Sequence, residues 1–208
     1  MRIVCISDTH GTHRNLQVPE GDMIIHAGDV TGRGTKIQVM DFLDWFEQLD
    51  ICHKVFIAGN HDFYFEKADP NEIQQILPDN IIYLNDSGIN IEGLNIWGSP
   101  IQPWFYDWAF NRKRGAEIRT HWDKIPAQSD LIITHGPAYG ILDTTIRNEA
   151  VGCKDLLKKI QQIQPRIHIS GHIHEAYGRV NRNGVEFVNA SVLDERYRMK
   201  NAPIVLDV

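Results

Sequence analysis

Short apolar runs recur along the chain, and most of them end in a polar cluster of repeated composition. The runs Ile3–Ile6, Met23–Ala27, Val55–Ala58, Ile81–Leu84, Leu94–Trp97, Leu131–Thr134, Ile167–Ser170, Val185–Val188 and Ile204–Leu206 read as strands. Helices are expected near Thr35–Leu49, Asn71–Leu77, Arg112–Trp122 and Cys153–Ile163. In the first of these, Ile37, Met40, Leu43 and Phe46 recur three apart and are expected to form the buried stripe. In the last, Leu156, Leu157 and Ile160 repeat and Pro165 marks the stop. No repeat, linker or low-complexity tract divides the chain, so residues 1–208 read as one α/β domain with sizeable sheets.

Five apolar runs end in chemistry-bearing residues. Asp8-Thr9-His10-Gly11 comes after the first, Gly28-Asp29 after the second, and Gly59-Asn60-His61-Asp62 after the third. His135-Gly136-Pro137 and Gly171-His172-Ile173-His174 close two later ones. Ligands of open α/β sheets bind outside the carboxyl ends of strands. Strand ends on one edge would therefore gather Asp8, His10, Asp29, Asn60, His61, His135, His172 and His174 into one cleft. Glycine beside each lets the backbone turn sharply there. Gly21-Asp22 repeats the dipeptide of Gly28-Asp29 but precedes its strand, so Asp22 reads as a turn residue.

Carboxylates, imidazoles and an amide oxygen without thiolate suit ions such as Mn²⁺, Fe or Zn²⁺. Seven such ligands exceed one tetrahedral zinc site and suffice for two ions sharing a carboxylate. The three cysteines are odd in number and lack a C-x-x-C pair, so they read as reduced and mostly buried thiols. His26 and His168 lie within strands and read as structural; His13, His53 and His121 are expected at the surface.

These blocks, spanning Asp8 to His174, resemble those of calcineurin-like metallophosphoesterases. Trp97-Gly98-Ser99-Pro100, Thr134-His135-Gly136-Pro137 and Pro103-Trp104-Phe105-Tyr106 are similar to the metallophosphoesterase-domain-containing branch, whose relatives include cyclic-nucleotide phosphodiesterases. The resemblance implies a four-layer α/β/β/α sandwich of two mixed β-sheets, with the site on one edge. It implies one ion held by Asp8, His10, Asp29 and His174, and a second by Asp29, Asn60, His135 and His172. His61 matches the family's catalytic histidine. Mn²⁺ stands first among the implied metals, with Fe, Zn²⁺, Co²⁺ and Ni²⁺ compatible. Many phosphatases of the superfamily read G-D-x-x-D-R-G where this chain has Gly28-Asp29-Val30-Thr31-Gly32-Arg33-Gly34. The second aspartate, which supports the catalytic histidine there, is Gly32 here, so His61 needs another partner.

The expected activity is hydrolysis of small phosphodiesters, cyclic nucleotides among them, by a hydroxide shared between two ions. Asn60 and His135 would help orient the phosphoryl group, and His61 would protonate the departing oxygen. Arg33, Trp104 and Phe105 are the expected substrate contacts, and Tyr139 and Asp143 are placed at the rim. A phosphomonoesterase would use the same ligands. A nuclease fits poorly with a net charge of −6, which disfavours gripping a polyanion. A non-catalytic scaffold would be expected to lose ligands, and none is lost. The apolar N-terminal run is too short for a signal peptide and no segment suits a membrane helix, so the cytoplasm is the expected location.

Overall fold

A computed structural model describes residues 1–208. Its strands are β1 Arg2–Ile6, β2 Met23–Ala27, β3 His53–Ile57, β4 Ile81–Tyr83, β5 Ser87–Ile91, β6 Leu94–Ser99, β7 Gln102–Pro103, β8 Asn111–Arg112, β9 Leu131–Thr134, β10 Ile167–Ser170, β11 Gly178–Arg182, β12 Val185–Asn189 and β13 Ile204–Asp207. The helices are α1 Lys36–Glu47, α2 Phe63–Lys67, α3 Pro70–Ile76, α4 Ala116–Trp122 and α5 Lys154–Ile163.

One sheet has the order β13-β1-β2-β3-β4 and the other β11-β12-β10-β9-β6-β5. Both are mixed. β1 to β4 run parallel with β13 antiparallel at one edge. β6, β9, β10 and β12 run parallel between antiparallel β5 and β11. A parallel array sends the carboxyl ends of its strands to one edge, so β1, β2 and β3 deliver theirs together, as do β9, β10 and β12.

The layers arise from side-chain alternation. Ile3, Cys5, Met23, Ile25, Val55 and Ile57 face Leu131, Ile133, Ile167 and Ile169 across the inter-sheet layer. Their neighbours Val4, Ile24 and Phe56 pack outward on Phe42, Leu43 and Phe46 of α1, while Ile132 and Phe187 belong with Leu156 and Ile160 of α5. Central strands are thus buried on both faces, which is why they read as continuous apolar runs. The result is the expected helix–sheet–sheet–helix sandwich. No helix is long and apolar enough to cross a membrane.

Several expectations are corrected. In α1, Ile37 is 82% and Met40 44% exposed, whereas Val39, Phe42, Leu43, Trp45 and Phe46 form the buried face. A constant three-residue step falls about 60° short of a full helical turn, so such a pattern winds off the core. Arg112 does not begin a helix: it pairs in β8, and α4 starts after Gly115, whose φ is 87°. His13 is buried rather than exposed, because a 3₁₀ turn tucks its ring against Trp45, 4.9 Å between centroids. Asp143 is buried behind the rim, where it accepts from the amides of Gly140 and Gly152. β5, β7, β8, β11 and α2 are not among the elements the apolar runs predict.

Candidate functional site

The loops after β1, β2, β3, β9 and β10 meet on one edge, and their side chains converge in two groups. Asp8, His10 and His174 form one; Asp29, His135 and His172 form the other. His174 Nε2 lies 3.4 Å from Asp8 Oδ1, and His10 Nε2 3.6 Å from Asp29 Oδ2. His135 Nε2 lies 3.4 Å from Asp29 Oδ2 and 2.9 Å from Asn60 Oδ1. Asp29 therefore sits between the groups, touching a histidine of each. His10 and Asp29 also form a trio with His61.

The backbone is bent to achieve this. Asp8, His10, Asp29 and His172 all adopt left-handed φ angles, 57°, 44°, 55° and 69°. Such conformations are uncommon outside glycine and cost on the order of 1–3 kcal/mol each unless over-determined by neighbours. Here they are. Asp8 N donates to Gly28 O at 2.9 Å and His10 N to Asp29 O at 3.0 Å. The Asp29 carboxylate accepts from His61 N at 2.8 Å, and the Asp8 carboxylate from His172 N and Ser191 Oγ. A Cβ at Gly59 would collide with the Asp29 amide and carboxylate, so only glycine admits that approach.

The imidazoles are oriented from behind. His135 Nδ1 donates to Ala27 O at 2.9 Å, and His174 Nδ1 to Asp194 O at 3.0 Å. With each Nδ1 committed to a backbone carbonyl, each Nε2 faces the carboxylates, the arrangement found behind metal-binding histidines. Charges answer in the same sense. Burial opposes ionisation of Asp8 and Asp29, yet the surrounding histidines hold both below the usual carboxylate range. Burial likewise opposes charge on His135 and His174, but Asp29 and Asp8 outweigh it and lift each to about 9. Burial pushes His10 down to about 4 and His172 to about 3. Two buried carboxylates with converging Nε2 atoms form a place for cations, and the donor set fits divalent ions.

His61 also finds its partner. Its Nδ1 donates to the backbone oxygen of Gly32 at 2.9 Å, so the residue that lacks the supporting carboxylate supplies a carbonyl instead. Asp62 is buried beneath, accepting from Val30 N, Thr31 N, Thr31 Oγ1 and Gly59 N. Burial, reinforced by Asp29, raises Asp62 to about 6.

A cleft of about 320 Å³ opens over these groups, with Asp29, Asn60, His61, His172 and His174 on its floor. Phe105 and Trp108 form part of its wall, Tyr197 covers His10 at 4.9 Å between ring centroids, and Arg114 lies on the rim. The Arg114 guanidinium is anchored on the carbonyls of Val151 and Gly152 rather than on a carboxylate. Of the expected substrate contacts, Phe105 lines the cleft; Arg33 lies in a separate depression and Trp104 is turned to solvent. Tyr139 carries Lys154 over its ring instead of facing the cleft.

Sequence reasoning missed Ser191, Asp194 and Tyr197. Asn189-Ala190-Ser191 closes β12 just as the other polar clusters close their strands, so the same rule extended to a sixth strand end would have found Ser191. Tyr197 carries no comparable signal.

Residues 1–176 match the family model described as calcineurin-like phosphoesterase, and the chain belongs to that family. Its relatives include metallophosphoesterase domain-containing protein 1 of Homo sapiens, 41% identical over 230 aligned positions that cover all of this chain and 71% of that one. A probable cyclic nucleotide phosphodiesterase of Synechococcus is 26% identical, covering 78% of this chain and 62% of its own. Among solved structures, the phosphopantetheinyl hydrolase of Mycobacterium tuberculosis superposes with a TM-score of 0.62 at 15% identity, covering 94% of this chain and 90% of that one. At that identity it shares the fold.

Proposed function

We propose that the chain hydrolyses small phosphodiesters, cyclic nucleotides among them, with two divalent ions and with Mn²⁺ as the first metal to test. The observation that carries this is the placement of Asp29 between two groups of converging ligands. Asp8, His10, Asp29 and His174 would hold one ion; Asp29, Asn60, His135 and His172 the other. Bound there, such ions supply Lewis-acid polarisation of a phosphoryl group and acidify water.

The chain's own residues do the rest. Asn60 and His135 hold the phosphoryl side of the cleft in place, tied together at 2.9 Å. Water adds its oxygen to phosphorus and releases one proton to solvent, and the bond to the departing oxygen breaks. His61, tethered through Nδ1, has its other nitrogen available to give that oxygen a proton. The aromatic wall suits a flat substrate group, and the Synechococcus relative's name supports a phosphodiester. The partner is a small-molecule phosphoester rather than a nucleic acid, given the net charge of −6. The cytoplasm is the proposed location.

The test is chelator treatment, readdition of Mn²⁺, and initial rates on bis-p-nitrophenyl phosphate and p-nitrophenyl phosphate. The two share a leaving group, so a diester preference supports the reading. A monoester preference makes the protein a phosphatase using the same residues. Metal uptake without turnover of either points to a non-catalytic scaffold.

A further inference from the structure

We propose that Trp108 is the positioning residue of His61, performing with the Gly32 carbonyl the task of the missing aspartate. The inference rests on the phosphodiesterase reading for His61's role, but the contact itself is independent of it. A single hydrogen bond from Nδ1 to Gly32 O fixes one ring atom and leaves the ring free to rock about it. The second constraint is a stack: the indole of Trp108 lies 4.3 Å from the imidazole, centroid to centroid, at an interplanar angle of 27°. Stacking fixes the plane where the hydrogen bond fixes the pivot. His10 meets the same imidazole edge-on at 4.5 Å and 82°, completing its surroundings.

Trp108 is itself held. Phe63 stacks with it at 6.0 Å and 30°. Ala109 N, next in the chain, donates to Asn60 O at 3.1 Å, so the loop bearing the indole is bonded to the loop bearing the histidine. Phe110 N donates to Glu66 Oε1 at 2.7 Å, and Asn111 Nδ2 closes the loop onto the carbonyls of Phe105 and Tyr106. The indole is thus tied to the β3 loop, which is what a positioning group requires. The opposite half of the same loop presents Phe105 to the cleft, so a substrate against Phe105 touches the segment that holds His61.

If Trp108 were only a wall, its loss would weaken binding of all substrates alike. If it positions the proton donor, its loss falls on esters with poor leaving groups. Trp108→Leu should lower kcat for methyl phenyl phosphate about tenfold or more while changing methyl p-nitrophenyl phosphate by less than about threefold. In a His61→Ala background the same substitution should add less than about twofold. Trp108→Phe, which keeps a ring, should retain most activity and guards against a folding defect. In the metal-free wild type, the His61 ring protons should be shifted upfield in ¹H–¹³C NMR spectra by the indole, and should return downfield in Trp108→Leu with the His13 and His26 resonances unmoved. Equal losses on both esters, multiplicative losses with His61→Ala, or unmoved His61 resonances would overturn the proposal. Failure of the wild type to turn over either ester would remove the phosphodiesterase reading instead, and the NMR shift would still decide the stack.

Discussion

The strand-end edge and the aromatic loop from Pro103 to Phe110 build opposite sides of one cleft by different physics. On the edge, each functional residue comes directly after a buried strand, so its position is inherited from sheet register, and left-handed angles at Asp8, His10, Asp29 and His172 aim it. The loop has almost no sheet beneath it. Trp104, Phe105 and Tyr106 are more than half exposed, and its shape comes from Asn111, Glu66 and the hydrogen bond from Ala109 N to Asn60 O. The edge should therefore decide whether chemistry occurs, and the loop should decide how well it is aimed and for what.

The largest break in that comparison comes from the centre of the edge. Asp29→Asn removes the one carboxylate that the two proposed ligand sets share. It should lower turnover about a thousandfold or more and reduce bound metal below two ions per chain by elemental analysis. Full metal content with normal turnover would deny Asp29 its bridging place. Next is His61→Ala, expected to cost about 10²–10⁴-fold on esters with poor leaving groups and little on activated aryl esters. Uniform loss would reassign His61 to binding.

A control for the edge's supporting layer lies in pH. Two buried histidines flank it in matching fashion, His26 with Thr9 at 2.9 Å and His168 with Thr134 at 2.8 Å. Burial depresses His168 from the ordinary 6.5 to about 3. A depressed histidine binds its proton more weakly in the folded state, so its stabilisation is complete above pH 6.5 and is lost as pH falls towards 3. By pH 5 the loss should be about 2 kcal/mol, at about 1.4 kcal/mol per pH unit. His168→Gln should flatten the denaturation-versus-pH curve by that amount; an unchanged slope would mean that folding does not depress the histidine's pKa. The smallest effect belongs to the loop. Phe105→Ala should raise KM for an aromatic diester about fivefold, near 1 kcal/mol, with kcat preserved.

Legibility in the sequence divides along the same line. Asp8, Asn60, His135 and His172 can be placed because an apolar run fixes where a strand stops, and the sandwich grows out of those runs. Spacing alone misplaces Ile37 and Met40, because it does not say which turn of a helix drifts off the core. His13 escapes because a 3₁₀ turn beneath α1 leaves no periodic trace. Trp108 does not stand out from its aromatic neighbours, because its role depends on a contact with a residue far away in the chain. β5 and β11 are edge strands with one exposed face, so their runs are broken by polar residues. Gly32 marks a missing partner for His61, but a carbonyl can replace a carboxylate without any change in the side-chain record.

The two sheets contribute unequally to the ligands. Asp8, His10, Asp29 and Asn60 come from the loops of one, and His135, His172 and His174 from those of the other. Neither sheet by itself supplies either of the two proposed ligand sets in full. An ion held by either proposed set would therefore cross-link the two sheets across their interface. Its binding energy would then add to the stability of the whole sandwich rather than to one half, which would make ion supply a control on the protein's lifetime.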